Sequence, residues 1–327
     1  EDSVLTQCAE GGVYGVRLFK NGEWVTILID DRFPTKAGCY QKEGDATLWG
    51  GEPNPREGKY AKPLFVSSRD INEWWMLAIE KAYAKYHGSY AAIEGGWVHT
   101  ALVDFTGGVP ETITLSDEKT AVSINDGSLW RKLQRYQELG YLLGSGSPAG
   151  HDTDVSDLGI VQGHAYAVLT MVEESDSHGE HQLIQLRNPW GQTEWKGEWS
   201  DDDHVRWTRR MKAKTGYDPK AKADSDDGIF FMSFRDFCTH YENIYVCRIY
   251  RTVEEGGSWF QYRVASEWMG ETAGGCPNGP SGDKNPQWVF QPSKPCQVVI
   301  KLAQAEQLGE GRDSHPIGIK ILANGAR

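Results

Sequence analysis

Two short segments decide how this chain reads: Gln162-Gly163-His164-Ala165-Tyr166-Ala167-Val168-Leu169 and Leu186-Arg187-Asn188-Pro189-Trp190-Gly191. Each joins strand-forming residues to one polar group at the end of the run. His164 opens the first apolar strand, so packing fixes one edge of its ring while the other is free to face a cleft. Alone, such a histidine is more often a hydrogen-bonded structural residue than a general base. Asn188 changes that balance. It ends the following strand, and two adjacent antiparallel strands bring it and His164 to one sheet edge. An asparagine oxygen can accept the imidazole N–H and fix the ring's tautomer, which is the orienting role in a Cys-His-Asn triad. Pro189 removes a ladder donor and ends the strand, and Trp190 is placed to shield the pair from water. By itself, Asn-Pro-Trp-Gly reads as a turn.

Around these segments the pattern is mixed α and β. Val13 to Phe19 and Trp24 to Asp30 are β-rich runs joined through Asn21-Gly22, a strong hairpin signal. Asp70 to His87 carries Ile71, Trp74, Trp75, Ala78, Ile79 and Ala82 at helical spacing and stops at Gly88. Gly95-Gly96 and Gly107-Gly108 punctuate the next stretch, the second pair reading as a hinge between subdomains. Ser128 to Glu138 reads as a short amphipathic helix, and Gly144 to Pro148 as a Gly/Ser-rich loop. Further strands are expected at Ala165 to Val172, Gln182 to Arg187 and Asn243 to Ile249. A helix is expected from Ser233 to Tyr241, opened by Ser233 with Asp236 three residues on. From about Glu254, Gly-rich loops surround Trp288 to Phe290 and Val298 to Leu302, an all-β texture with too few strands to close a sandwich.

Composition narrows the classes. A net charge of −12 and a pI near 5.3 argue against nucleic acid as a partner and fit hard-cation binding where carboxylates cluster. Thirteen Trp residues predict buried aromatic anchors or an indole-lined site. The longest apolar run, Ala165 to Val172, is far short of the ~20 residues a membrane helix needs. The six cysteines, at 8, 39, 238, 247, 276 and 296, are irregularly spaced and form no CxxC pair, so reduced thiols in a cytoplasmic setting are expected. Membrane association is left to segments outside these residues. His178-Gly179-Glu180-His181 looks like a metal pair but falls in a polar turn with no further ligand in sequence.

Taken together, QGHAYAVL, LRNPWGQTEWKGEWSD, WVTILIDDRFPTK, NEWWMLAIEKAYAKYHGSY, DFTGG and DDGIFFMSFRDF resemble, in order, the protease core of the calpain family from about Gly11 to Tyr250. GETAGGCPNGP, NPQWVFQ and VVIKLAQ resemble the start of the C2-like β-sandwich that follows that core. GSPAGHDTD and GIVQGHAY are most similar to plant and algal phytocalpains of the defective-kernel type. The resemblance implies an α+β, papain-like protease core. Residues 1–107 would be a partial first subdomain, 108–252 the second subdomain with His164 and Asn188, and 253–327 a truncated C2-like domain. It also implies a calcium-dependent cysteine endopeptidase acting on protein substrates as a monomer. Gly95, Gly96, Gly107 and Gly163 would offer backbone to the substrate, with Trp190 shielding the site.

Calcium is the implied cofactor. The resemblance places ligands of the second subdomain at Glu194, Asp201, the Ser225 carbonyl and Asp227, and one ligand of the first at Glu73. Ile229 stands where animal calpains commonly place another Glu, which should weaken the site. Solvated acidic loops are the rival reading, strongest for Asp201 within Asp201-Asp202-Asp203. The nucleophile is the main departure. Calpains carry it in a Gln…Gly-Asp-Cys-Trp helix ahead of the first hairpin, and no such motif occurs in residues 1–327. Cys8 is followed closely by Gly11-Gly12, which gives no helix N-terminus to lower its pKa, and Cys39 sits in a Gly-Cys-Tyr loop. The expectation is therefore a truncated polypeptide, inactive by itself. The alternative is a non-catalytic calpain-like binding or regulatory module.

Overall fold

The computed structural model describes residues 5–8, 12–42, 59–67, 74–219, 227–276, 279–305 and 317–322. It divides into two compact units, Glu1–Glu94 with Arg251–Arg327, and Gly95–Tyr250. Gly95-Gly96 therefore opens the second unit, and Gly107-Gly108, expected at a subdomain hinge, lies inside it.

In the first unit, β1 (Leu5–Cys8), β2 (Val13–Lys20) and β3 (Glu23–Asp30) form an antiparallel sheet. Asn21 and Gly22 both have positive φ, 54° and 83°, so the hairpin closes through the two-residue turn expected of Asn-Gly. β4 (Thr35–Lys42) and β5 (Lys59–Pro63) pair separately. The helix α1 (Trp75–Tyr86) buries Ala78 and Ala82 of the expected stripe together with Leu77, which the stripe did not include, while Trp75 of that stripe is exposed. Lys81 pins it to the sheet, donating to the Asp30 carboxylate at 2.5 Å.

The second unit is built on a six-stranded antiparallel sheet. Its strands are β6 (Val109–Thr114), β7 (Leu142–Gly146), β8 (Ala165–Asp176), β9 (Gly179–Arg187), β10 (Ile229–Ser233) and β11 (Asn243–Arg248), in the order β10-β9-β8-β7-β11-β6. Helices α2 (Val98–Thr106), α3 (Glu118–Asn125), α4 (Ser128–Glu138), α5 (Arg209–Thr215) and α6 (Phe234–His240) accompany it. Of the Gly/Ser stretch read as a loop, Gly144 to Gly146 form the end of β7, and Ser147 and Pro148 lie beyond it. Gly144 and Gly146 let neighbours close in: a Cβ on Gly144 would lie 2.9 Å from Val98 Cγ1, and one on Gly146 3.0 Å from the Tyr245 hydroxyl.

Period-two alternation divides the core. Phe230 and Met232 join Ile184, Leu186, Trp130, Phe234 and Phe237 in one cluster. Phe231 turns to the other face with Leu183, Trp199, Trp207, Met211 and Tyr217. Trp199 packs edge-on against Trp207 at 5.2 Å, and Trp207 against Phe231 at 5.4 Å, so several tryptophans are indeed buried anchors. Ser233 caps α6, its Oγ accepting the Asp236 N–H at 3.0 Å, while the Asp236 carboxylate takes the Ser233 hydroxyl.

The start of a C2-like β-sandwich expected after residue 253 is not seen among the described residues. The described residues there hold three short 3₁₀ turns and no strand. Trp288, Phe290, Val298 and Ile300, in the stretches read as β, are all exposed. Strand-like sequence needs a ladder partner to become a strand, and these stretches have none among the described residues. No described helix is long and apolar enough to cross a membrane.

Phe237, fully buried and stacked on Tyr241 at 4.9 Å, anchors α6 under the sheet. Phe237→Ala should destabilise the second unit by about 3–5 kcal/mol in chemical denaturation. A loss below about 1 kcal/mol would mean that this core is not packed as described.

Candidate active site

The register of β8 and β9 determines where the polar groups meet. Ala167 faces Arg187 across β8 and β9, so His164, just ahead of β8, and Asn188, just past the end of β9, come to the same end of the sheet. His164 Nε2 lies 2.9 Å from Asn188 Oδ1. The two residues picked out in sequence are therefore brought together.

Asn188 is completely buried, and every polar atom of its amide is engaged. Nδ2 donates to the carbonyls of Gln192 at 2.7 Å and Thr193 at 3.2 Å, which fixes the orientation of the amide and turns Oδ1 toward the ring. Oδ1 also accepts the Trp190 N–H at 3.1 Å. An acceptor at this position makes His164 Nε2 the protonated nitrogen. Nδ1 makes no hydrogen bond among the described residues and keeps its lone pair. Trp190 lies against the imidazole with ring centres 4.5 Å apart, half-exposed, where it covers one face of the ring. Tyr166 packs edge-on to the ring at 5.2 Å.

Burial lowers the His164 pKa below 6.5, opposed by the Asn188 hydrogen bond and by the charge of Asp152. The folded state thus binds fewer protons here than the unfolded chain. The stability this group contributes is present above its unfolded pKa and is lost as pH falls through its folded one.

Two close approaches shape the loops. Gly163 has φ 56°, and a Cβ there would stand 2.3 Å from the Gly150 carbonyl, so packing alone demands glycine just ahead of His164. Gly228 has φ 76°, and its Cβ would meet the Asn188 carbonyl at 2.6 Å. Gly228 also links two functional candidates. Its carbonyl accepts the Asn188 N–H at 2.8 Å, and its own N–H donates to Glu194 Oε1 at 2.9 Å. Sequence reasoning missed Gly228. Its signal was a glycine directly ahead of an apolar strand, which is too common to single out.

The other glycines separate. Gly107 is the left-handed C-cap of α2, an ending that explains it without a ligand. Gly95 and Gly96 have open space beside them, as an approaching peptide backbone requires.

The acidic candidates gather around Tyr217. Its hydroxyl lies 2.7 and 2.8 Å from the two Asp201 oxygens and 2.9 Å from the Ile229 carbonyl. Burial, the Asp201 hydrogen bond and the negative charges of Asp201, Glu194 and Asp227 keep that hydroxyl protonated far above its ordinary range. Asp227 accepts the Ile229 N–H at 3.0 Å. These carboxylates suit a hard cation chemically. As folded, however, Asp201, Glu194 and Asp227 are each engaged by protein donors, and no three acidic, His or Cys side chains among the described residues stand as a ligand set. Glu73 and Ser225 lie outside the described residues. His178 and His181 close on Asp176 within the turn of the β8–β9 hairpin, His181 at 2.9 Å.

Among the thiols, burial raises the Cys238 pKa to about 12, Cys247 is buried, and Cys276 and Cys296 are exposed beyond Arg251. Only the backbone of Cys8 and Cys39 is described. None of these four described thiols is hydrogen-bonded to the ring of His164.

A family model described as "Calpain family cysteine protease" matches residues 2–248. The chain belongs to the calpain family. It is 42% identical over 307 residues to "Calpain-type cysteine protease DEK1" of Arabidopsis thaliana, covering 92% of this chain and 13% of that protein. Similarity to "Calpain-type cysteine protease ADL1" of Oryza sativa subsp. japonica is 41% over the same length, with 12% of that protein covered. The mouse "Calpain-2 catalytic subunit" is 32% identical over 336 residues, 95% of this chain and 42% of the mouse protein. The likeness to plant calpains seen in the motifs therefore holds, and the chain spans a small part of its plant relatives.

Because Asn188 stabilises the charged ring, Asn188→Ala should lower the His164 titration midpoint further. Carbon-bound imidazole proton shifts followed against pH by NMR read this directly; an upward shift would contradict the arrangement.

Proposed function

We propose that this chain carries the base-and-orienter half of a calcium-regulated, calpain-type cysteine endopeptidase acting on protein substrates. The observation that carries the proposal is the 2.9 Å contact between His164 Nε2 and the oxygen of a fully buried Asn188. A non-catalytic binding or regulatory module has no use for that pair.

The chemistry follows from which nitrogen is held. With Nε2–H held by Asn188, proton exchange falls to Nδ1. A cysteine thiol of the family's helix motif, not found in residues 1–327, gives its proton to Nδ1 and attacks the scissile carbonyl carbon. The imidazolium then protonates the departing amine as the C–N bond breaks. In the second half Nδ1 takes a proton from water as that water attacks the thioester, and returns it to the thiolate as the acid leaves. Trp190 limits competing water at the ring, and Gly95 and Gly96 offer open backbone to an extended peptide.

Calcium is proposed as the regulatory ion on the donor chemistry of Glu194, Asp201 and Asp227, with the Ser225 carbonyl. Gly228 supports a link between this cluster and the pair, because one glycine hydrogen-bonds Glu194 on one side and Asn188 on the other.

Residues 1–327 alone should leave casein uncut with or without calcium, and calcium-stimulated cleavage by this polypeptide would contradict the assignment. Joined to a calpain-type segment bearing the Gly-Asp-Cys-Trp helix, the chain should cleave casein, and His164→Ala should reduce that by at least about 10³-fold. Full activity in His164→Ala, or none in the joined wild type, would favour the binding-module reading. Separately, Asp227→Ala should weaken calcium binding measured by calorimetry, and unchanged affinity would remove Asp227 from the site.

A further inference from the structure

We infer that Ser147 is a positioning residue for His164, holding the backbone from which the ring swings. The inference rests on reading His164 as the general base. β7 ends at Gly146, which pairs with Ala165, so the next rung would join Ser147 to His164. There the side chain takes over half of the rung, accepting in place of the Ser147 carbonyl. The Ser147 hydroxyl accepts the His164 N–H at 2.9 Å and donates to the His164 carbonyl at 3.1 Å. That carbonyl also takes the Ser147 N–H at 3.0 Å.

One residue thus makes three hydrogen bonds to the backbone of the base, at a position only 6% exposed. The substitution has a geometric reason. Beyond this rung the chain turns at Pro148, whose carbonyl takes the Gly163 N–H at 2.7 Å, and Gly163 is held against Gly150. With the ordinary ladder ending here, the hydroxyl supplies the acceptor that the His164 N–H needs. Fixing both peptide groups of His164 fixes its Cα–Cβ direction, and with it the reach of Nε2 to Asn188 Oδ1.

Ser145, two residues earlier, supplies a control. It is also buried, but its hydroxyl donates to the Asn243 carbonyl at 2.9 Å, and its rung partner is Tyr166, not His164. A merely structural serine would behave like Ser145.

The test uses the full 327-residue chain labelled with ¹⁵N and reads the His164 Nε2–H exchange rate and Nε2 shift by NMR. Ser147→Ala should speed Nε2–H exchange about fivefold or more, the protection one lost hydrogen bond represents. Ser147→Thr should restore the slow rate, and Ser145→Ala should leave it unchanged. Should Ser147→Ala not fold, Ser147→Cys, a weaker donor and acceptor, must shift the rate in the same direction. Unchanged exchange in the Ser147 variants, or equal acceleration in Ser145→Ala, overturns the inference. Since this reads the ring and not cleavage, such a failure strikes Ser147 and leaves the role of His164 to the casein assay.

Discussion

A buried primary amide is an exacting group to place, because it carries two donors and an acceptor with two lone pairs, and each left unmet costs about 1–3 kcal/mol. Asn188 meets all of these within the site: two nearby carbonyls, one backbone N–H and the His164 ring. The chain from Asn188 to Thr193 folds back so that two carbonyls face Nδ2. It does so with Thr193 at φ 67°, a left-handed conformation that a β-branched residue rarely adopts. With Nδ2 committed to carbonyls, Oδ1 has no choice of direction, and His164 inherits its tautomer from that constraint.

The rest of the second unit serves to hold that amide still. β9 leads into Asn188 and lies between β8, which follows His164, and β10, which Gly228 precedes. On one face, Phe230, Met232 and Leu186 join the main core, and on the other, Phe231 locks into the tryptophan cluster that also contains Tyr217. Tyr217 carries the Asp201 contact at its tip. Acidic loop, aromatic cluster, strand and asparagine thus form one continuous set of contacts within this unit.

Much of this was legible in sequence because it depends on local pattern. Asn21-Gly22 specified a hairpin, Ser233 a helix start, and the histidine and asparagine segments showed polar groups at strand ends. The features that stayed hidden depend on pairing across long separations. Gly144 to Pro148 reads as a loop, since glycine has low strand propensity. Its first residues become a strand because Val98 and Tyr245 need the room its missing side chains leave. Ser147 and Gly228 gain their meaning only once β7 and β10 are beside their partners. After residue 253 the all-β texture of the sequence has no strand to match it among the described residues, because texture supplies no ladder partner.

Everything proposed for the site depends on His164 being held as its Nε2–H tautomer by Asn188, leaving Nδ1 free to exchange protons. The tautomer of wild-type His164 can be read from its two ring ¹⁵N shifts at a pH above its titration midpoint. The account predicts a protonated, pyrrole-like Nε2 and an unprotonated, pyridine-like Nδ1. A dominant Nδ1–H tautomer would contradict it.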